Sequence, residues 1–207
     1  MKIKVCGITS IEQMQQLKQL DADYAGMIFY EGSKRYVEEM KNEKLEIKNI
    51  GINKVGVFVN ADFDTVIKAI GDYGLSAVQL HGDETDEFCL ELMDKVEVIK
   101  VFRIADQNNI DELVAPFQNV CHYFLFDTDT ASFGGSGKQF EWNILENAEI
   151  NKPFFLSGGI GIEDVEKVKA FNHPFFYDID VNSRFELEAG IKDMNKVESF
   201  IKAIHHG

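Results

Sequence analysis

The sequence is poor in cysteine: Cys6, Cys89 and Cys121 are an odd set with no CxxC pair and no short metal-binding spacing. That excludes a disulfide framework and a thiolate metal cluster, and it reads as reduced thiols in a cytoplasmic protein. Basic side chains are scarce as well. With 21 Lys and Arg against 35 Asp and Glu the net charge is -14, which argues against nucleic acid or an anionic membrane as a partner. An anionic ligand must therefore be held by local features. No uninterrupted apolar run approaches the roughly 18 residues a membrane helix needs, and the first residues pattern as a charged strand, not a basic apolar leader. Linkers, repeats and low-complexity segments are missing too. Residues 1–207, 45% hydrophobic and 27% charged, are expected to form one domain with one sizeable core. His205 and His206 are assigned no role.

What is there is alternation. Eight short β-branched or aromatic runs recur along the chain: KIKVC, YAGMIFY, KVGVFV, AVQL, VEVIKVF, YFLFD, PFFLS and FFYDIDV. Helical spacing fills the gaps, as in SIEQMQQLKQL, where Ser10 and Gln13 hold capping-box positions. The stretch VEEMKNEKLEIKNI is less regular, and a long loop precedes FEWNILENA. Alternating units demand a parallel sheet with right-handed crossovers. Eight of them fit a closed (β/α)8 TIM barrel better than an open doubly wound sheet, the alternative, which usually has fewer strands at this length.

In a barrel, chemistry comes from the C-terminal strand ends and the loops beyond them. KVCGIT places the lone thiol Cys6 at such an end with a glycine after it, although a strand cysteine also serves as a small core hydrophobe. Asp127 closes YFLFD, where partial desolvation raises a carboxyl pKa toward that of a general acid, with Asp129 competing for the role. Arg35 in GSKRY offers a planar fork for a carboxylate, and VQLHG presents Gln79 and His81. FLSGGIGIEDV turns through Gly158, Gly159 and Gly161 into a helix, whose free amides suit a phosphate without positive side chains. FGGSGKQ fails as a P-loop and reads as a mobile loop over the mouth.

These segments, KVCGIT, SKRY, GVFVN, VQLHG, the GGSGK run ending in Phe140 and Trp142, and LSGGI, together resemble the phosphoribosylanthranilate isomerase family of tryptophan biosynthesis, in matching order over essentially the whole chain. The resemblance implies an Amadori rearrangement of N-(5-phosphoribosyl)anthranilate, with a phosphoribosyl small molecule as partner and neither metal nor organic cofactor. It implies Asp127 as general acid and Cys6 as general base. Arg35 would hold the anthranilate carboxylate, Gly158, Gly159 and Ser183 the phosphate, and Asp180 the sugar hydroxyls. Oligomeric state, monomer or homodimer, is not readable. One position departs from the family pattern: Arg184 stands where a glycine is usual. Its β-carbon restricts positive φ, or else its cation faces the phosphate. Strand parity puts Lys4 below Cys6 inside the barrel, with Asp178 as its candidate partner and a different acid or solvent at the barrel floor as equal alternatives; a thiolate-favouring charge is the expected effect.

Overall fold

The computed structural model describes residues 1–104, 109–128 and 139–206. Eight parallel strands close into a barrel in sequence order: β1 (Lys2–Val5), β2 (Tyr24–Ile28), β3 (Asn53–Phe58), β4 (Ala77–Leu80), β5 (Glu97–Ile104), β6 (Tyr123–Thr128), β7 (Phe154–Leu156) and β8 (Phe176–Val181). Each expected run became a strand because its branched and aromatic side chains fill both faces of a buried parallel sheet. Inward positions Tyr24, Val55, Ala77, Ile99, Val101, Leu125 and Phe155 form an inner cluster. The alternate positions pack outward against the helices, among them Val78, Phe102, Phe124, Phe126 and Phe154. Each such ring or branched side chain, fully buried, contributes about 1.5–3 kcal/mol.

The helices are α1 (Ile11–Gln19), α2 (Lys44–Asn49), α3 (Phe63–Tyr73), α4 (Asp86–Met93), α5 (Ile110–Val114), α6 (Asn143–Glu146), α7 (Val165–Ala170) and α8 (Met194–His206). Side-chain caps start several of them: Asp62 accepts from Thr65 N at 2.8 Å, and Thr85 accepts from Phe88 N at 3.3 Å. The irregular stretch after β2 is a 3-10 turn, Val37–Met40, followed by the short α2. None of the helices among the described residues is long and apolar enough to cross a membrane.

Two local outcomes differ from the sequence reading. Ser10 caps α1 by accepting from Gln13 N at 3.3 Å, but the Gln13 side chain does not complete the box. It reaches instead to Gly190 O at 3.1 Å and accepts from Lys192 N at 3.0 Å. Those contacts anchor an unanticipated antiparallel hairpin between β8 and α8, β9 (Glu186–Glu188) with β10 (Ile191–Lys192). Strands of three and two residues are too short for a periodicity signal.

Candidate active site

A cavity opens at the C-terminal end of the barrel, enclosing about 690 Å³ out to its mouth, within the range of small-molecule sites. Cys6, Gln79, His81, Asp127, Asp180, Gly158, Gly159, Ser183 and Arg184 all line it. The barrel thus brings together nine of the ten site residues expected from sequence.

Arg35 is the exception. Its Nε and Nη2 donate to the two oxygens of Glu186 at 2.8 and 2.6 Å, a bidentate pair at the rim, and it does not line the cavity. Arg103, another strand end, pairs with Asp83 at 2.7 Å and also lies outside the lining. Ser157, Asn182, Tyr30, Ser33, Ile160 and an apolar wall of Ile28, Val57 and Val59 complete the lining. Parity could have flagged Ile28 and Val57, which alternate with outward neighbours. Asn182 carried no local signal.

Asp127, at the end of β6, has its carboxyl pushed up to about 6, first by burial and then by Asp180, while the Thr128 N–H and Ser157 pull it back. Its Oδ2 lies 3.5 Å from His81 Nε2. Burial, together with Lys4, Arg103 and Lys100, lowers His81 to about 3, so at neutral pH that contact is with a neutral imidazole and is no ion pair. Gln79 Nε2 stands 3.3 Å from His81 Nδ1. With the amide assigned as donor there, the ring proton resides on Nε2 and points at Asp127. Asp129 and nearly all of FGGSGKQ lie outside the described residues.

Cys6 follows β1, with its N–H donated to Val181 O at 2.8 Å. Below it, Lys4 is wholly buried and pairs with Asp180 Oδ2 at 2.9 Å. The expected partner Asp178 is a correction: the β1–β8 register sets Lys4 beside Asp180 and Lys2 beside Asp178. Barrel strands are staggered, and sequence alone does not give the stagger. Both Asp178 oxygens are buried without a hydrogen-bond partner among the described residues, and burial, then Asp180, raises its pKa well above the usual carboxylate range. The expected electrostatic help to Cys6 is corrected in size as well. Lys4 does pull the thiol pKa down, but burial outweighs it and the thiol ends above its ordinary value.

The phosphate-loop expectation is refined. Gly161 N donates to Asp164 Oδ2 at 2.8 Å, so the turn entering α7 is capped by its own carboxylate. Among the described residues nothing accepts from the amides of Gly158 and Gly159, two residues that line the cavity. Gly158 has φ +92, and a β-carbon there would collide with Thr128 Oγ1, so only glycine lets this loop approach β6. Arg184 keeps a negative φ within a 3-10 turn, Ser183–Phe185, so its β-carbon is accommodated. Its Nη1 lies 3.6 Å from Glu163 Oε1, with both side chains about half exposed.

Among the described residues no group of His, Cys, Asp and Glu gathers in a way that could hold a metal ion. A thiol and a raised carboxyl around one cavity can move protons, and loop amides with no acceptor among the described residues suit an anion.

The comparisons with known proteins agree with that chemistry. The family model for N-(5'-phosphoribosyl)anthranilate isomerase matches residues 3–203. The enzyme of that name from Parabacteroides distasonis is 40% identical over 209 aligned positions, covering 100% of this chain and 94% of its own length. Its counterpart from Phocaeicola vulgatus is 38% identical, covering 99% and 98%. The crystal structure of phosphoribosyl anthranilate isomerase from Thermotoga maritima superposes with a TM-score of 0.85 at 32% identity, covering 98% of each chain. A second solved structure of the isomerase, at 30% identity and TM-score 0.81 with 98% and 97% covered, holds reduced 1-(o-carboxyphenylamino)-1-deoxyribulose 5-phosphate. By sequence over its whole barrel and by fold, the chain belongs to the phosphoribosylanthranilate isomerase family.

Proposed function

We propose that Asp127 and Cys6 carry out the isomerisation as general acid and general base. The observation that supports this most is that they line one cavity, the one a carboxyl raised to about 6 and the other a buried thiol beside cations. Protonated Asp127 gives its proton to the furanose ring oxygen, whose bond to C1' breaks as the nitrogen lone pair forms the iminium. The Cys6 thiolate then removes the C2' proton, and the electron pair closes the C1'–C2' double bond while neutralising the iminium. The resulting enol-amine tautomerises to the ketone. Asp127, left as carboxylate, and Cys6, left as thiol, exchange protons with solvent or product before the next turn.

The substrate's parts fit the lining. The Gly158, Gly159 and Ser183 amides suit the phosphate, with the Arg184 guanidinium at its outer side. Ile28, Val57 and Val59 offer the aromatic ring an apolar wall. Glu186 occupies one edge of Arg35, so an anthranilate carboxylate would take the Nη1 edge. Asp180, whose Oδ1 has no partner among the described residues, has an acceptor left for a sugar hydroxyl. Three free, buried thiols suit the reducing cytoplasm.

The test follows turnover by the loss of substrate anthranilate fluorescence. Cys6→Ala and Asp127→Asn should each lose about 10²–10⁴ in kcat, with substrate affinity within about tenfold. An active Cys6→Ala removes the thiol base. An active Asp127→Asn beside a dead Asp129→Asn moves the acid role to Asp129.

A further inference from the structure

The hairpin β9–β10 brings one more charge to the base, and it does so with a fully buried side chain. Lys192 Nζ donates to Asn182 Oδ1 at 2.7 Å, to Glu186 Oε1 at 2.7 Å and to Asn182 O at 3.3 Å. Three acceptors around one nitrogen match the three N–H bonds of an ammonium, whereas an amine would turn a lone pair toward one of them. Burial lowers the Lys192 pKa, and the Glu186 carboxylate pushes it back.

Gly7, next in chain to Cys6, shows how tightly this group is seated. A β-carbon on Gly7 would lie 2.7 Å from Arg35 Cδ, 2.7 Å from Asn182 Oδ1 and 3.4 Å from Lys192 Nζ. The charged groups around Cys6 are therefore Lys4 on its own strand, Asp180 on β8, Arg35 after β2, and Glu186 and Lys192 on the hairpin. Three are cations and two are anions. Across the cavity stand Asp127 and the neutral His81, and the lining also holds Arg184, half exposed and 3.6 Å from Glu163. A buried excess of one positive charge calls for one anion. That anion is either the Cys6 thiolate with Asp127 protonated, which is the working form, or the Asp127 carboxylate with Cys6 protonated.

We propose that Lys192 is a positioning residue that biases the balance between these two protonation states: its ammonium, held by Glu186 and Asn182 on the Cys6 side of the cavity, favours negative charge on the thiol and the proton on Asp127. This rests on the reading of Cys6 as base and goes beyond it. With Asp127 near 6 and the thiol above its ordinary value, the working form is the minority one at neutral pH. Each tenfold gain in its population is then a tenfold gain in competent enzyme.

The experiment measures the thiol directly. The Cys6 peptide of the intact, substrate-free enzyme is followed by mass spectrometry during iodoacetamide alkylation across pH, with circular dichroism as a check on folding. Lys192→Met should raise the pH midpoint of alkylation by about one unit or more, and Lys192→Arg should restore most of it. Glu186→Gln, which removes an anion from the same cluster, should move the midpoint the opposite way. Should Lys192→Met fail to fold, the downward shift in Glu186→Gln still decides. Midpoints that stay at the wild-type value, or that move in the same direction in Lys192→Met and Glu186→Gln, would overturn the proposal, since a merely structural role has no reason to change sign. Failure of the underlying reading looks different: Cys6→Ala would then stay active while the alkylation midpoints still moved.

Discussion

The floor and the mouth of the barrel are formed by the same eight strands only a few residues apart, and they are built on different physics. At the floor, Tyr24, Tyr123, Phe155 and Tyr177 close the interior with ring centroids 5.5 to 6.2 Å apart. Lys2 lies over two of those rings, 4.9 Å from Tyr177 and 5.4 Å from Tyr24. At the mouth, Gln79 Oε1 and Asp180 Oδ1 are buried with no partner among the described residues, and Asp127 is held desolvated. Unused hydrogen-bonding capacity costs stability in the free enzyme and is recovered when a ligand supplies the partner. The difference teaches where each property resides: the aromatic floor holds the barrel shut, and the underpaired mouth keeps polar groups available to a ligand. Asp178 marks the seam, a buried carboxyl with a raised pKa below the paired Asp180 on one strand.

The sharpest way to break this comparison is to strike the floor. Phe155→Ala should cost about 3–5 kcal/mol in urea unfolding, because the ring is buried and the surrounding barrel relaxes only partly. Its kcat, measured on folded protein, should stay within about threefold of wild type. A large loss of kcat at unchanged stability would mean that the floor shapes the chemistry after all.

The mouth should answer in the other direction. The Asp127 carboxyl is raised from 3.8 to about 6 in the folded protein, so the native state binds its proton more tightly than the unfolded chain does. Stability from this group is full below about pH 4, is lost as the pH rises through about 6, and stays lost above. Asp127→Asn should therefore be more stable than wild type at pH 8, by roughly 2–3 kcal/mol at most in urea unfolding and with a higher melting temperature, the gain fading toward pH 4. Equal melting temperatures at pH 8 would show that the mouth carries no such penalty.

The smallest effect is expected at the outer edge of the mouth. Arg184 is about half exposed and already near Glu163, so screening leaves its charge little leverage. Arg184→Gly should raise KM about two- to fivefold with kcat nearly constant, the pattern of lost uniform binding. An unchanged or lower KM would make it a surface variant with no share in the phosphate site.

Much of the fold was legible in the chain, because parallel barrel strands are buried on both faces and announce themselves as short branched and aromatic runs. Within the site, Cys6, Asp127, Gln79 and Asp180 could be found because strand ends and parity are local properties. Arg35 shows the limit: GSKRY suggested a free fork, while its bidentate partner Glu186 lies 151 positions away in sequence.

The residue pattern by itself determined eight strands, their helical crossovers and the side chains offered at the strand ends, since those follow from spacing along one segment. Which charges meet inside the barrel was decided only in three dimensions. Lys4 pairs with Asp180 instead of Asp178 because of strand stagger, and Lys192 comes up beside Gly7, next to Cys6, because a short hairpin folds back onto α1 through Gln13. Register and hairpin docking come from long-range packing and hydrogen bonds between distant segments, and no local pattern encodes them.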